Sequence, residues 1–544
     1  MGGFIFSTLF EEKIFVIILY LLYNTMIIVF EEIKMLSIVK SFGVTGITGY
    51  QVNAEVDINQ GLPGYDIVGL VGTAIKESKE RVKSAIKNSG FRYPILKLTI
   101  NLAPADTKKD GPVYDLAIAV GILTASEQIK YQNASKYIFL GELGLNGSVR
   151  KIKGVLPMLI AARQAGLTKI ILPKDNENEA SFIEGLEIYA VENLRQVVQF
   201  LNDELEISPT TAQSFNTIRN EKKSKTDFKY VKGQYIAKRA LEIAAAGGHN
   251  VIMIGPPGSG KTMLAKAYPS ILPELTFEEA LEVTKIHSIA GVLDDNVGIV
   301  TTRPFRAPHH STTMLALTGG GRLAKPGEIS LAHTGVLFLD EMPEYPRNSL
   351  ETLRQPLEDG VITIARVENT VEYPANFTLI ASMNPCPCGN YGNPEKECKC
   401  TPQQIRNYLN KLSGPLMDRI DMHIEVDSVK YMDLVDDTYE ETSESIKARV
   451  DKAREIQLKR FEGTLIHNNA SMSDQQLKKY CKISKESNAL LEMAFNKMKL
   501  SARAYNRILK LARTIADLEG SADILENHII EAISYRTLDK KYWE

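Results

Sequence analysis

The stretch that most constrains this chain runs from Val251 to Ala267. The apolar run Val251-Ile252-Met253-Ile254 leads into Gly255-Pro256-Pro257-Gly258-Ser259-Gly260-Lys261-Thr262, and Met263-Leu264-Ala265-Lys266-Ala267 follows. This order predicts a buried strand, a glycine-rich loop and a helix. The glycines let the backbone curl until successive N–H groups face one anion, and the helix N-terminus adds the positive end of its dipole. In that geometry Lys261 reaches the β- and γ-phosphates of a nucleotide and the Thr262 hydroxyl ligates magnesium. A chance glycine-rich turn is the competing reading, and it would lack the strand before and the helix after.

At 544 residues the chain is long enough for three or four domains, each with its own core. The 64 Lys+Arg against 66 Asp+Glu give no overall attraction for a polyanion, so any nucleic-acid surface must be a local patch. Five cysteines do not make a secreted disulfide scaffold, and four of them crowd between Cys386 and Cys400. That crowding predicts a metal site in a reducing compartment, hence the cytoplasm.

Residues 1–34 differ from the rest. Ile14 to Phe30 is mostly apolar, broken by Asn24 and Thr25 and flanked by Glu11, Glu12, Lys13, Glu31, Glu32 and Lys34. Three readings compete: a membrane anchor, a buried or partner-binding helix, and a misassigned start with the protein opening at Met35. A membrane contact is expected only if this extension is a real anchor.

From 35 to 202 short β-rich runs alternate with helices. Gln51 to Ile58 and Leu96 to Ile100 have period two, and Ala74 to Asn88 reads as a helix. Asp110-Gly111-Pro112, Gly141-Glu142-Leu143-Gly144 with Gly147, Ala161-Ala162-Arg163-Gln164-Ala165-Gly166 and Ile171-Leu172-Pro173-Lys174 make this stretch resemble the proteolytic domain of Lon. Lon-type hydrolysis needs a serine after the Asp-Gly-Pro and a lysine further on. Val113 and Leu156 stand there, so the resemblance implies a non-proteolytic α+β relative used for assembly or partner contact. Residues 203–228 are polar and read as a linker with nothing to contribute to a core.

Residues 229–437 carry the nucleotide motif. Val336-Leu337-Phe338-Leu339-Asp340-Glu341 reads as a buried parallel strand delivering two acids to its C-terminal edge. Asp340 would hold magnesium, indirectly or through water, and Glu341 would polarise the attacking water. Val361 to Tyr373 reads as a β-hairpin, and Phe377 to Asn384 as another buried strand ending in an amide. Before them lies an insertion, Thr284 to His333, with Arg303, Arg306, His309, His310 and Arg322. Its length and glycine content mark it as functional.

The set resembles an AAA+ ATPase, a P-loop NTPase with an αβα core, carrying a hairpin before its polar sensor as in magnesium chelatase and the MCM helicases. In particular it resembles the magnesium-chelatase-like group that includes competence protein ComM, also called YifB. The resemblance spans Met35 to the end: Lon-like domain, linker, ATPase core, cysteine insert, and a helical lid over 438–544. It implies that Asn384 is sensor 1, that Arg419 in Ser413-Gly414-Pro415-Leu416-Met417-Asp418-Arg419 is an arginine finger given to the neighbouring subunit, and that Arg503 in Ser501-Ala502-Arg503 is sensor 2. Guanidinium groups there would stabilise charge developing on the phosphoryl oxygens. Arg503 could instead be ordinary helix surface charge like Arg507 and Arg513.

Cys386-Pro387-Cys388 and Cys398-Lys399-Cys400 supply four thiolates in two pairs. That set suits a closed, structural zinc site, although C-x-C is tighter than the usual spacing. A reduced metal-free loop and an iron–sulfur cluster are the alternatives.

A finger donated across an interface requires a ring, so a homo-hexamer in ATP is expected. The hairpin tip at Arg366 and the insertion arginines Arg303, Arg306 and Arg322 would face its pore and grip DNA phosphates; alternatively they pair with carboxylates of the insertion. The resemblance implies a helicase promoting branch migration in recombination and natural transformation. The other reading is a protein-remodelling or chelatase-type ATPase with no DNA substrate.

Overall fold

The computed structural model describes residues 36–215, 226–293, 298–321, 324–365, 370–392, 396–429, 440–464, 466–538 and 542. The extension 1–34, Arg322 and Arg366 lie outside them. The chain forms two compact units. The first comprises residues 49–152 and 158–211 with the strand residues up to 43, and the second comprises 212–544 with 44–48 and 153–157.

The first unit is built on a seven-stranded mixed sheet. Its strands are β1 (Leu36–Thr45), β2 (Thr48–Asn59), β3 (Gly64–Val68), β4 (Lys97–Ala103), β5 (Ile138–Phe139), β6 (Lys169–Pro173) and β7 (Glu187–Val191), in the order β3-β4-β2-β1-β5-β6-β7. The alternation of β2 buries Val52, Ala54, Val56 and Ile58 on one face. Helix α1 (Thr73–Asn88) turns Ile75, Val82 and Ile86 inward, while α2 (Asp115–Ala125) is apolar all round and buried all round. Asp115, in the first turn of α2, is held by Arg81 at 2.8 Å. Burial still pushes its pKa up to about 6 against that guanidinium. Val113 and Leu156 are both buried apolar side chains.

The linker contributes more to packing than its polar composition predicts. The Thr210 N–H donates to the Ile188 carbonyl at 2.8 Å, Phe215 meets Phe277 edge-on at 5.6 Å, and Phe228 is fully buried. Single aromatic residues, one in the middle of the polar run and one at its end, anchor it, a signal that averaging over the run hides.

In the second unit five strands form an all-parallel sheet: β8 (Val251–Ile254), β9 (Phe305–Arg306), β10 (Val336–Leu339), β11 (Thr378–Met383) and β12 (Met422–Glu425), ordered β9-β10-β11-β8-β12. Every residue of β8 and β10 is buried, as expected for strands covered on both faces. The chain order reverses around β8, so the loop leaving its C-terminal end stands at a topological switch point, where α/β folds place ligands. Helix α3 (Tyr235–Gly247) precedes β8, and α4 (Lys261–Ala267) follows the loop.

Helix α5 (Phe277–Ala290) takes up the first part of the expected insertion, which therefore begins only at Gly291. The hairpin forms as expected: Val361–Ala365 pairs antiparallel with Thr370–Pro374, directly after helix α6 (Arg354–Asp359).

The C-terminal helices include α7 (Ser443–Arg460), α8 (Ala502–Leu518) and α9 (Glu526–Ser534). Helix α8 starts at Ser501, whose hydroxyl accepts the Ala504 N–H, and buries Ile508, Leu511 and Ile515. These side chains share one hydrophobic cluster with α3, β8, β10 and β12, so the helical segment and the sheet have a common core. Among the described residues no helix is long and apolar enough to cross a membrane.

Candidate nucleotide site

At the C-terminal edge of the sheet the phosphate loop has the backbone its sequence requires. Gly258 and Gly260 have φ of +80° and +93°, and a Cβ on Gly255 would lie 2.1 Å from the Val426 carbonyl. Lys261 Nζ donates to the Gly255 and Pro256 carbonyls at 2.7 and 2.8 Å and stands 3.4 Å from Asn384 Oδ1. Burial lowers its pKa to about 8, although Asp340 and Glu341 pull the other way.

The Thr262 hydroxyl donates to Asp340 Oδ2 at 2.9 Å, which brings the two expected magnesium ligands together. Glu341, exposed and at φ +49°, follows from the end of β10. Lys261, Thr262, Asp340, Glu341 and Asn384 thus come from three adjacent strands, β8, β10 and β11, and converge beside the loop.

Two residues of this edge escape motif reading. Ser382 donates to Asp340 Oδ1 and accepts the Glu341 N–H at 3.1 Å, fixing both acids. The signal was available: a polar residue in the buried part of a strand, two before Asn384 and therefore on its face. Gln234, at φ +59°, donates to the carbonyls of Ser259 and Asp427 at 3.1 and 2.6 Å, tying the phosphate loop to the segment after β12.

The arginines lie elsewhere. Val251 pairs with Met422 and Ile254 with Glu425, so Asn250 and Asp421 stand at the N-terminal edge of the sheet. Their backbones and side chains interlock there: the Asn250 N–H donates to Asp421 Oδ2 at 2.8 Å, and Asn250 Nδ2 to the Arg419 carbonyl at 3.3 Å. Arg507 of α8 pairs with Asp421. Arg503, one turn earlier, lies 3.6 Å from Glu358, and nearly buried Arg419 is bonded to the same Glu358 and to the Pro415 carbonyl.

Burial of Asp421 would raise its pKa, but Arg507, His249 and the Asn250 N–H hold it well below the ordinary carboxylate range. Four residues of β8, roughly 13 Å of strand, separate this edge from the phosphate loop.

The four cysteines gather as expected. Their sulfurs lie within 4.8 Å of one another, with Cys386 3.4 Å from Cys388 and Cys398 3.7 and 3.6 Å from that pair. A tetrahedral site with Zn–S bonds of about 2.3 Å needs sulfurs about 3.8 Å apart, so the donor set fits zinc. A Cβ on Gly389 would lie 2.5 Å from Pro257 Cδ, so this loop abuts the phosphate loop.

Of the insertion arginines, Arg303 and Arg306 pair with carboxylates of the same chain. Arg303 binds Glu279 at 2.9 Å and the Pro273 and Thr334 carbonyls at 2.6 Å, and Arg306 grips Glu328 through two bonds of 2.6 and 2.8 Å. In both, the donors brace the chain's own fold.

A glycine-rich phosphate loop at the switch point of a parallel sheet, with an acid pair at the same edge on the next strand but one, defines a P-loop nucleotide-binding α/β fold. Residues 227–434 match the family described as Magnesium chelatase, subunit ChlI, residues 54–176 match Subunit ChlI of Mg-chelatase, and residues 440–536 match the ChlI C-terminal family. Competence protein ComM of Haemophilus influenzae is 44% identical over 505 residues, covering 92% of this chain and 98% of its own. Uncharacterized protein YifB of Escherichia coli is 43% identical over 511 residues, covering 93% and 98%. Lon protease 2 of Bacillus subtilis is 34% identical over 139 residues, 25% of this chain and 24% of its own. The chain belongs to the ComM/YifB group of magnesium-chelatase-like ATPases.

Proposed function

We propose that this chain is a magnesium-dependent ATP hydrolase that works as a homo-hexameric ring and moves DNA, promoting branch migration in recombination and transformation in the cytoplasm. One observation carries the ring: Arg419 and Arg503 sit at the sheet edge opposite their own phosphate loop. A guanidinium that must meet the γ-phosphate in the transition state is useless at that distance, so both act on the nucleotide of a neighbouring copy. Lys261 and the loop amides hold the phosphates, Thr262 and Asp340 hold magnesium, Glu341 polarises the attacking water, and Asn384 orients it.

The Cys386, Cys388, Cys398 and Cys400 site takes zinc as a structural ion, closed because all four positions are filled by thiolates. The Lon-like domain, with Val113 and Leu156 in place of a dyad, cleaves no peptides.

The DNA assignment is supported by likeness to a relative named for competence and by the hairpin. Arg366, which follows the first hairpin strand in sequence, together with Arg322, supplies the phosphate contacts. ATP turnover and unwinding should be measured with single-stranded, duplex and forked DNA, for wild type and Arg366→Ala. Forked DNA should stimulate wild-type turnover and be unwound, with unwinding lost in the variant. No stimulation and no unwinding would assign the ATPase to a protein client instead.

A further inference from the structure

Glu358 has no part in the nucleotide site, yet it is the carboxylate shared by the two arginines assigned to the neighbour's nucleotide. One oxygen meets Arg419 and the other lies 3.6 Å from Arg503. It occupies the next-to-last position of α6, with Gly360 at φ +68° ending the helix before the hairpin, so its backbone is held on both sides.

The need for such a group follows from charge. Arg354, Arg419, Arg503 and Arg507 crowd one edge, and after burial the other three guanidinium groups are what lower the Arg419 pKa. Arg354 is drawn to Glu351 and Arg507 to Asp421. Among the described residues Arg503 pairs with Glu358 alone, and its side chain is 57% exposed. Without Glu358, like-charge repulsion and side-chain entropy would send Arg503 into solvent and leave nearly buried Arg419 without its acid partner.

We propose that Glu358 is the positioning residue of the arginine pair: one carboxylate oxygen per guanidinium keeps Arg419 and Arg503 side by side, ready to close on a γ-phosphate. Two adjacent oxygens of one anion present these donors with the arrangement they meet on a phosphoryl group, so the pair transfers from carboxylate to phosphate without being reassembled. The proposal rests on the shared-site reading above.

The test uses the full chain with Glu358→Gln and Glu358→Asp. Misplacing catalytic donors by about an ångström costs up to about a hundredfold, so Glu358→Gln should lower kcat roughly ten- to a hundredfold. Because Glu358 touches no bound nucleotide, KM for ATP should stay within about twofold. Glu358→Asp, which keeps the charge, should recover part of kcat.

Mixed with Lys261→Ala chains, which bring an intact arginine pair, Glu358→Gln chains should regain turnover at their own sites. Unchanged kcat in Glu358→Gln overturns the proposal. So does a mixture that stays inactive while the Arg419→Ala and Lys261→Ala mixture recovers, because Glu358 would then act within its own chain. Failure of both mixtures removes instead the shared-site reading beneath it.

Discussion

The two edges of the parallel sheet in the second unit are built on opposite principles. At the C-terminal edge, groups of both signs lie within hydrogen-bonding reach: Lys261 on its loop carbonyls, Thr262 on Asp340, Ser382 on both acids. At the N-terminal edge four arginines crowd against Glu351, Glu358 and Asp421, and Arg503 remains largely exposed. The first edge can hold a nucleotide and align a water, with Lys261 as its cation and, among the described residues named there, no guanidinium for the charge that builds up in hydrolysis. The second has such cations and no phosphate loop. On the proposed reading one copy carries both halves of a site at places that cannot meet, which a ring of copies would resolve.

Removing the cations should have the largest effect on turnover. Arg419→Ala should bind ATP nearly as wild type and lose about a thousandfold in kcat, read by steady-state hydrolysis beside a fluorescent-nucleotide titration. Weakened binding with proportionate turnover would place Arg419 at its own chain's nucleotide. Glu341→Gln comes next, with an expected loss of about a hundredfold in kcat and ATP retained; normal turnover would identify another base.

A third expectation separates the edges by pH. In the free chain the Lys261 ammonium, lowered to about 8 by burial, is charged below that pH and lost above it. A bound triphosphate favours the charged form, so nucleotide affinity should be flat from pH 6.5 to 7.5. Above about 8 it should weaken by up to about tenfold per pH unit. The arginines stay charged throughout, so a flat profile to pH 9.5 would move the controlling contact away from Lys261.

The smallest effect is expected for Ser382→Ala, which frees one Asp340 oxygen and the Glu341 N–H. A loss of about 1–2 kcal/mol in magnesium-dependent ATP binding should follow. A magnesium titration of turnover checks it, and an unshifted midpoint would show that Thr262 alone holds Asp340.

The phosphate-gripping edge was legible because its residues are consecutive: Gly255 to Thr262 and Leu339 to Glu341 carry their geometry in their spacing. The other edge was legible only in part. Arg419 and Arg503 stood out by resemblance, but their placement follows from β12 lying parallel beside β8, a long-range pairing no local pattern encodes. Glu358 is an ordinary acid near a helix end, visible only once two distant segments meet on it. The partners of Arg303 and Arg306 were hidden for the same reason, since Glu279 and Glu328 are separated from them in the chain. In the first unit β2, α1 and β4 were readable from period, whereas Phe215 and Phe228 vanished into the polar run that contains them.

The most direct test mixes two inactive chains. Lys261→Ala lacks the phosphate grip and keeps its arginines; Arg419→Ala keeps the grip and lacks the finger. Each alone should be nearly silent, and the mixture should hydrolyse ATP at a readily measured fraction of the wild-type rate, greatest near equal proportions. A mixture no more active than its components, under conditions where both assemble, would contradict the division of the site between neighbouring copies.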